Sequence, residues 1–179
     1  YVEGISQLEV KDMRFAAQLG YRIKLLGVTK RTPEGIEVRV HPCLVSERSL
    51  IASVDGAMNA VMVHSDALGT SMYYGKGAGG EPTASAVIAD LMDIARMQSA
   101  DLPQRVPHTA FQAHAIESTR ILPIEDVITC FYLRIAVADQ SGVLASVTGI
   151  LAEHDISVDA MLQQPADAAS KQAELIILT

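Results

Sequence analysis

The sequence has no tryptophan, only two cysteines, no run of basic residues and no long apolar stretch. Aromatic residues make up 4% of its 179 positions, which leaves few platforms on which nucleic-acid bases could stack. With a formal net charge of −7 and no basic arm, most of the surface repels phosphate, and this excludes a general nucleic-acid binder. Cys43 and Cys130 fit no metal spacing and read as two reduced thiols of a cytosolic protein. His41, His64, His108, His114 and His154 are scattered, with no ligand pair on a shared helix, so no metal site is expected. No stretch approaches the ~20 apolar residues of a membrane span, and no signal peptide opens the chain; a cytoplasmic location is expected. The chain begins at Tyr1 rather than a methionine and stops within the strand-like run Leu175–Thr179. Both ends are therefore expected to continue in a longer protein.

What is present is 49% hydrophobic and 20% charged, ordinary for globular material. Val10, Met13, Ala16, Ala17 and Leu19 recur at helical spacing, and Gly20 follows where a helix end favours a left-handed residue. Tyr21–Leu26 reads as a strand ended by Gly27. Thr32-Pro33-Glu34-Gly35 reads as a turn, and Ile36–Val40 alternates as a strand with one wet face. A short helix is expected over Ser49–Val54. Strands are expected at Ala60–His64 and Thr70–Tyr74, joined by the turn Asp66–Gly69. Pro82 suits the first turn of a helix, and Ala84, Val87, Ile88, Leu91, Ile94 and Ala95 form its apolar stripe. Pro103, Pro107 and Pro123 interrupt the stretch 99–128, the best candidate linker. The remainder, 129–179, reads strand, helix, strand, loop, strand.

Gly75, Gly77 and Gly80 match G-x-G-x-x-G between a strand and a helix. A dinucleotide fingerprint, however, belongs to a strand–helix–strand unit with a parallel second strand carrying an acid. Here a Pro-rich stretch follows the helix, and the preceding strand reads as antiparallel. A P-loop is excluded because Gly77, not Ser or Thr, follows Lys76. What remains is a bare backbone at a helix N-terminus, whose amides and dipole can receive a carboxamide, carboxylate or phosphate. A tight turn serving only close packing would use the same residues.

Tyr74-Gly-Lys-Gly-Ala-Gly-Gly-Glu-Pro-Thr-Ala-Ser-Ala-Val-Ile-Ala-Asp-Leu resembles a stretch of homoserine dehydrogenases. So do Leu19-Gly-Tyr-Arg-Ile-Lys-Leu-Leu-Gly, Glu37-Val-Arg-Val-His-Pro-Cys-Leu and, in register between them and the glycines, Val54-Asp-Gly-Ala-Met-Asn-Ala-Val. The resemblance covers about residues 3–98 in the family's order and implies the C-terminal part of the catalytic, dimerising domain, of α+β class with an antiparallel or mixed sheet. It implies that Gly77, Ala78, Gly79 and Thr83 lie near the nicotinamide end of NAD or NADP. The implied reaction interconverts aspartate semialdehyde and homoserine, towards threonine and methionine. The family's catalytic lysine, substrate carboxylates and Rossmann domain lie upstream of the part matching Tyr1. No catalytic residue is therefore assigned; Lys24 and Lys76 are both declined. The 179 residues alone are expected to be inactive.

Phe131-Tyr-Leu-Arg-Ile-Ala-Val-Ala-Asp-Gln-Ser-Gly-Val-Leu-Ala-Ser-Val-Thr-Gly-Ile-Leu resembles the start of an ACT domain, an amino-acid-binding ferredoxin-like fold. The resemblance covers its first three elements. It implies a threonine-responsive site, with Asp139, Gly142, Val143 and Leu144 as effector-binding candidates. Asp139 or Ser141 can cap the helix, and Gly142 lets the backbone turn at its start. The organisation expected is thus 1–98 catalytic-domain part, 99–128 linker and 129–179 incomplete ACT domain, in a homodimer. The competing reading is a non-enzymatic amino-acid-binding regulatory or dimerisation module.

Overall fold

The computed structural model describes residues 1–99, 111–165 and 172–179. Much of the proline-interrupted stretch, including Pro103 and Pro107, lies outside the described residues. The chain forms two compact units: residues 1–47 with 121–179, and residues 48–120.

The first unit opens with α1 (Val10–Gln18). Its buried residues are Asp12, Phe15 and Ala16; of the apolar stripe read from the sequence only Ala16 is buried, while Val10, Met13 and Ala17 are exposed, and Gly20 takes φ +80° just after the helix. An antiparallel hairpin follows, β1 (Tyr21–Thr32) and β2 (Gly35–Ser46), closed by the expected Pro33–Glu34 turn. The strands are longer than expected. Gly27 does not end β1, because its backbone pairs with Val40 and ladder bonding continues through it. Pro42 sits within β2 opposite Leu25, which a two-stranded sheet permits because one edge of each strand needs no donor.

The wet and dry faces of β2 are the reverse of expectation. Glu37 is buried and Arg39 nearly so, whereas Val38 and Val40 are exposed. Arg39 Nη2 lies 3.0 Å from Glu37 Oε2, and Lys30, directly across the ladder, reaches Glu37 Oε1 at 3.5 Å. Burial of the carboxylate is tolerable because two cations neutralise it.

The C-terminal part of this unit contains β5 (Tyr132–Ala138), α3 (Val143–Glu153), β6 (Ala160–Gln163) and β7 (Gln172–Leu178). Residues 129–179 thus carry the strand, helix, strand and strand read along the sequence, one element more than the three to which the ACT resemblance extended. The sheet order is β5-β7-β6, with β7 antiparallel to both neighbours. As the central strand, β7 holds the core: Ala173, Leu175, Ile176, Ile177 and Leu178 are all buried. The strand after α3 is short, four residues from Ala160 to Gln163. The chain reaches the sheet only at Ala160, after Asp155 adopts φ +56°.

The second unit begins with a 3₁₀ turn, Leu50–Ser53, in place of the expected short helix. A hairpin follows, β3 (Met58–Ser65) and β4 (Gly69–Lys76), closed at Gly69 with φ +74°. Next comes the twenty-residue helix α2 (Gly80–Ser99). The apolar stripe of α2 exists but is not covered: Val87, Ile88, Leu91 and Ile94 are about half exposed, and no residue of the helix is buried.

Candidate functional site

The glycine loop lies in the second unit between β4 and α2. Asn59 of β3 pairs with Gly75 of β4, and the Gly77 amide donates to the Ala57 carbonyl at 3.3 Å. A Cβ on Gly77 would meet the Asn59 amide nitrogen at 2.1 Å. Glycine here lets the Asn59 side chain lie over the loop backbone. Gly79 takes φ +125°, a conformation that essentially only glycine adopts, and its carbonyl accepts the Thr83 amide at 3.1 Å. Gly77, Ala78, Gly79 and Thr83 are all exposed. The four form one bare, open surface at the start of α2, where first-turn amides lack helical partners and the dipole is positive. Its chemistry suits the carboxamide or phosphate of a nucleotide.

The second candidate lies where β5 turns into α3. A cavity of about 230 Å³ is lined by Val137, Ala138, Gln140, Ser141, Gly142, Val143, Leu144, Gln163 and Leu175. Three of the four sequence candidates, Gly142, Val143 and Leu144, form its wall; Asp139 shares the loop but does not line the cavity. Neither Asp139 nor Ser141 caps α3 with its side chain. Gly142 is the N-cap, at φ +90° and ψ −14°, and its carbonyl accepts the Ser146 amide at 3.0 Å. The Val143 amide donates to the Gln140 carbonyl at 3.4 Å, which leaves the Leu144 and Ala145 amides at the start of α3 for a ligand. Gln163 and Leu175 were missed because only strand pairing brings β6 and β7 to this loop. The cavity is smaller than the ~300–1,000 Å³ of drug-sized pockets, a scale that suits one small amino acid.

A third arrangement, in the first unit, was not foreseen. Asp12 of α1 is buried, and both its oxygens are engaged. Oδ2 accepts the Glu9 amide at 2.9 Å, closing the start of α1. Oδ1 accepts the Tyr132 hydroxyl at 2.7 Å and Arg134 Nε at 2.8 Å. Arg134 also holds Glu9 at 2.6 Å and Glu174 of β7 at 3.4 Å, and Lys11 joins Glu174 as well. Burial, and then the bond to Asp12, push the Tyr132 phenol well above its ordinary range. The hydrogen bond from Arg134 holds Glu9 below the usual carboxylate value. Elsewhere in this unit Cys43 lies 3.4 Å from His41 Nδ1, and burial raises its thiol pKa. Among the described residues no group of three or more His, Cys, Asp or Glu is placed to hold a metal ion. No described helix is long and apolar enough to cross a membrane.

The family model for homoserine dehydrogenase matches residues 1–92, more than half of the chain. The chain belongs to the homoserine dehydrogenase family. An ACT-domain model matches residues 131–179. Over all 179 residues the chain is 49% identical to a homoserine dehydrogenase of Neisseria gonorrhoeae and 50% identical to one of Pseudomonas aeruginosa, covering 41% of each. A crystal structure of a homoserine dehydrogenase from Thiobacillus denitrificans superposes with TM-score 0.87 at 56% identity, over 98% of this chain and 39% of that one. The Staphylococcus aureus homoserine dehydrogenase at pH 6.0 superposes with TM-score 0.62 at 27% identity, covering 98% of this chain and 40% of that one. The chain thus spans about two fifths of the length of the curated relatives it matches. Homoserine dehydrogenases as a family use NAD(P).

Proposed function

We propose that this chain is part of an NAD(P)-dependent homoserine dehydrogenase that interconverts aspartate semialdehyde and homoserine, with feedback by threonine through its ACT domain. The observation that carries the reading is similarity over all 179 residues of this chain to named homoserine dehydrogenases at about half identity. The exposed glycine surface at the start of α2 supports a cofactor role. NAD(P), when bound, supplies or accepts the hydride. Gly77, Ala78, Gly79 and Thr83 of this chain present a bare, exposed surface to its nicotinamide end, with the Gly77 and Thr83 amides themselves bonded to the Ala57 and Gly79 carbonyls. The bare backbone open to that ring is at Gly79, since the space over Gly77 is taken by the Asn59 amide. No proton donor is assigned within these 179 residues. The effector is held by Gly142, Val143 and Leu144, whose N-terminal α3 amides suit a carboxylate, with Asp139 adjacent. The enzyme is a cytoplasmic homodimer in threonine and methionine biosynthesis.

The test is NADP-dependent oxidation of homoserine, followed at 340 nm, by an enzyme of the relatives' full length carrying this sequence and by the 179 residues alone. Turnover by the longer enzyme and none by the shorter chain is expected. Failure of the longer enzyme to turn over homoserine with either cofactor refutes the assigned reaction. Turnover by the shorter chain refutes the assignment of the chemistry to residues outside it.

A further inference from the structure

The Arg134 cluster stands between two parts of the chain with different sequence affinities. Glu9, Lys11 and Asp12 lie in the segment matching the dehydrogenase model; Tyr132, Arg134 and Glu174 lie in the ACT-matching segment. The effector cavity uses the same two strands. In the β5–β7 ladder Ile135 pairs with Leu175 and Val137 with Ala173, one face of the sheet. Val137 and Leu175 line the cavity. Tyr132, Arg134 and Glu174 alternate with them and project from the opposite face, onto α1. Leu175 and Glu174 are adjacent residues, so a ligand that shifts β7 at the cavity shifts a cluster carboxylate with it.

The cluster is also built to hold one geometry. Asp12 uses one oxygen on its own helix and the other on two β5 side chains, so the register of α1 on the ACT sheet is set by a single buried carboxylate. Charge-assisted bonds of this kind are directional and costly to leave half-made.

We propose that the Asp12–Tyr132–Arg134–Glu174 cluster is the joint that transmits effector occupancy from the ACT cavity to the dehydrogenase segment, with Arg134 its positioning residue. This rests on the effector reading above. In the unliganded state the cluster fixes α1 on the sheet; an amino acid seated between β5, β7 and α3 displaces Glu174 relative to Arg134 and moves α1.

The experiment uses the full-length enzyme, with L-threonine as probe. Three variants are compared with the native protein: Tyr132→Phe, Arg134→Lys and the charge-balanced double variant Asp12→Asn/Arg134→Met. Homoserine oxidation is assayed against threonine concentration, and threonine binding is measured separately by calorimetry. The double variant is expected to bind threonine within about twofold of native and to keep its basal kcat within about twofold. Its extent of inhibition is expected to fall on the order of tenfold, within the range of typical coupling factors. Tyr132→Phe, the mildest change and the safeguard against misfolding, loses part of the inhibition, and Arg134→Lys retains more of it than the double variant. Full threonine inhibition in a folded double variant, or in Tyr132→Phe, overturns the joint while leaving the effector site standing. A native enzyme that neither binds nor responds to threonine refutes the effector reading and the joint with it.

Discussion

The loop proposed to hold the effector depends on one backbone conformation, and two glycines make this testable in isolation. Gly142 sits at φ +90° and Gly20 at φ +80°; at neither would an added Cβ meet any heavy atom within 4 Å. Alanine at either position therefore meets no steric neighbour and incurs only the cost of the left-handed backbone, about 1–2 kcal/mol. For a chain of this size that corresponds to a fall in Tm of roughly 2–8 °C. The two sites differ in what surrounds them. Gly142 lines the cavity and caps α3, whereas Gly20 follows α1, with its carbonyl accepting the Glu47 amide at 3.0 Å, and does not line the cavity. Both Gly142→Ala and Gly20→Ala should lower Tm by similar amounts. Only Gly142→Ala should also weaken threonine binding measured by calorimetry, on the order of tenfold if the backbone relaxes and turns the first α3 amides away from the ligand. Asparagine, which tolerates this region better, should recover part of the loss at each site. Unchanged threonine affinity in a Gly142→Ala enzyme with lowered Tm would refute the assignment of the loop amides to the ligand. Unchanged Tm in both would refute the conformational argument itself.

Asp12→Ala removes the partner of Tyr132 and Arg134 and the acceptor of the Glu9 amide, and should cost about 3 kcal/mol in denaturant unfolding, whereas Asp12→Asn keeps the cap and should cost less. Because the folded Tyr132 phenol ionises above its ordinary value of 10.0, its contribution holds through neutral pH and stability falls as the pH climbs past about 10. Alkaline absorbance titration should therefore lose a late-titrating phenol in Tyr132→Phe. For Glu9 the sign is opposite: its pKa lies below the ordinary 4.5, so its contribution is present above that value and is lost as the pH falls below it. Native and Glu9→Gln proteins should converge in stability in acid. Among the thiols, Cys43 is partly buried with its pKa raised while Cys130 is exposed; a thiol reagent should label Cys130 first, and faster labelling of Cys43 would contradict its burial.

The local elements were legible because their signals are local. Periodicity marked α1, α2 and α3, Pro33 and Gly35 marked the first hairpin turn, and Gly142 marked the start of α3. The glycine loop also yielded to its residue types, since only glycine accepts φ +125° at position 79. The reversal of β2 was not legible: alternation shows that a strand has two faces, but not which one the rest of the chain covers. Gln163 and Leu175 reach the cavity between β5 and α3 through the β5-β7-β6 order, and no spacing in the sequence carries that order.

Asp12 divides the two kinds of information most clearly. The sequence by itself determines that a short side chain with two acceptor oxygens stands in the first turn of a helix, where it can close the exposed amides. That its second oxygen meets Tyr132, 120 positions away, was decided only when the sheet packed on α1. Hydrogen bonding within a helix is set by separations of three or four residues. The partner of a buried charge is set by which surfaces must leave water together.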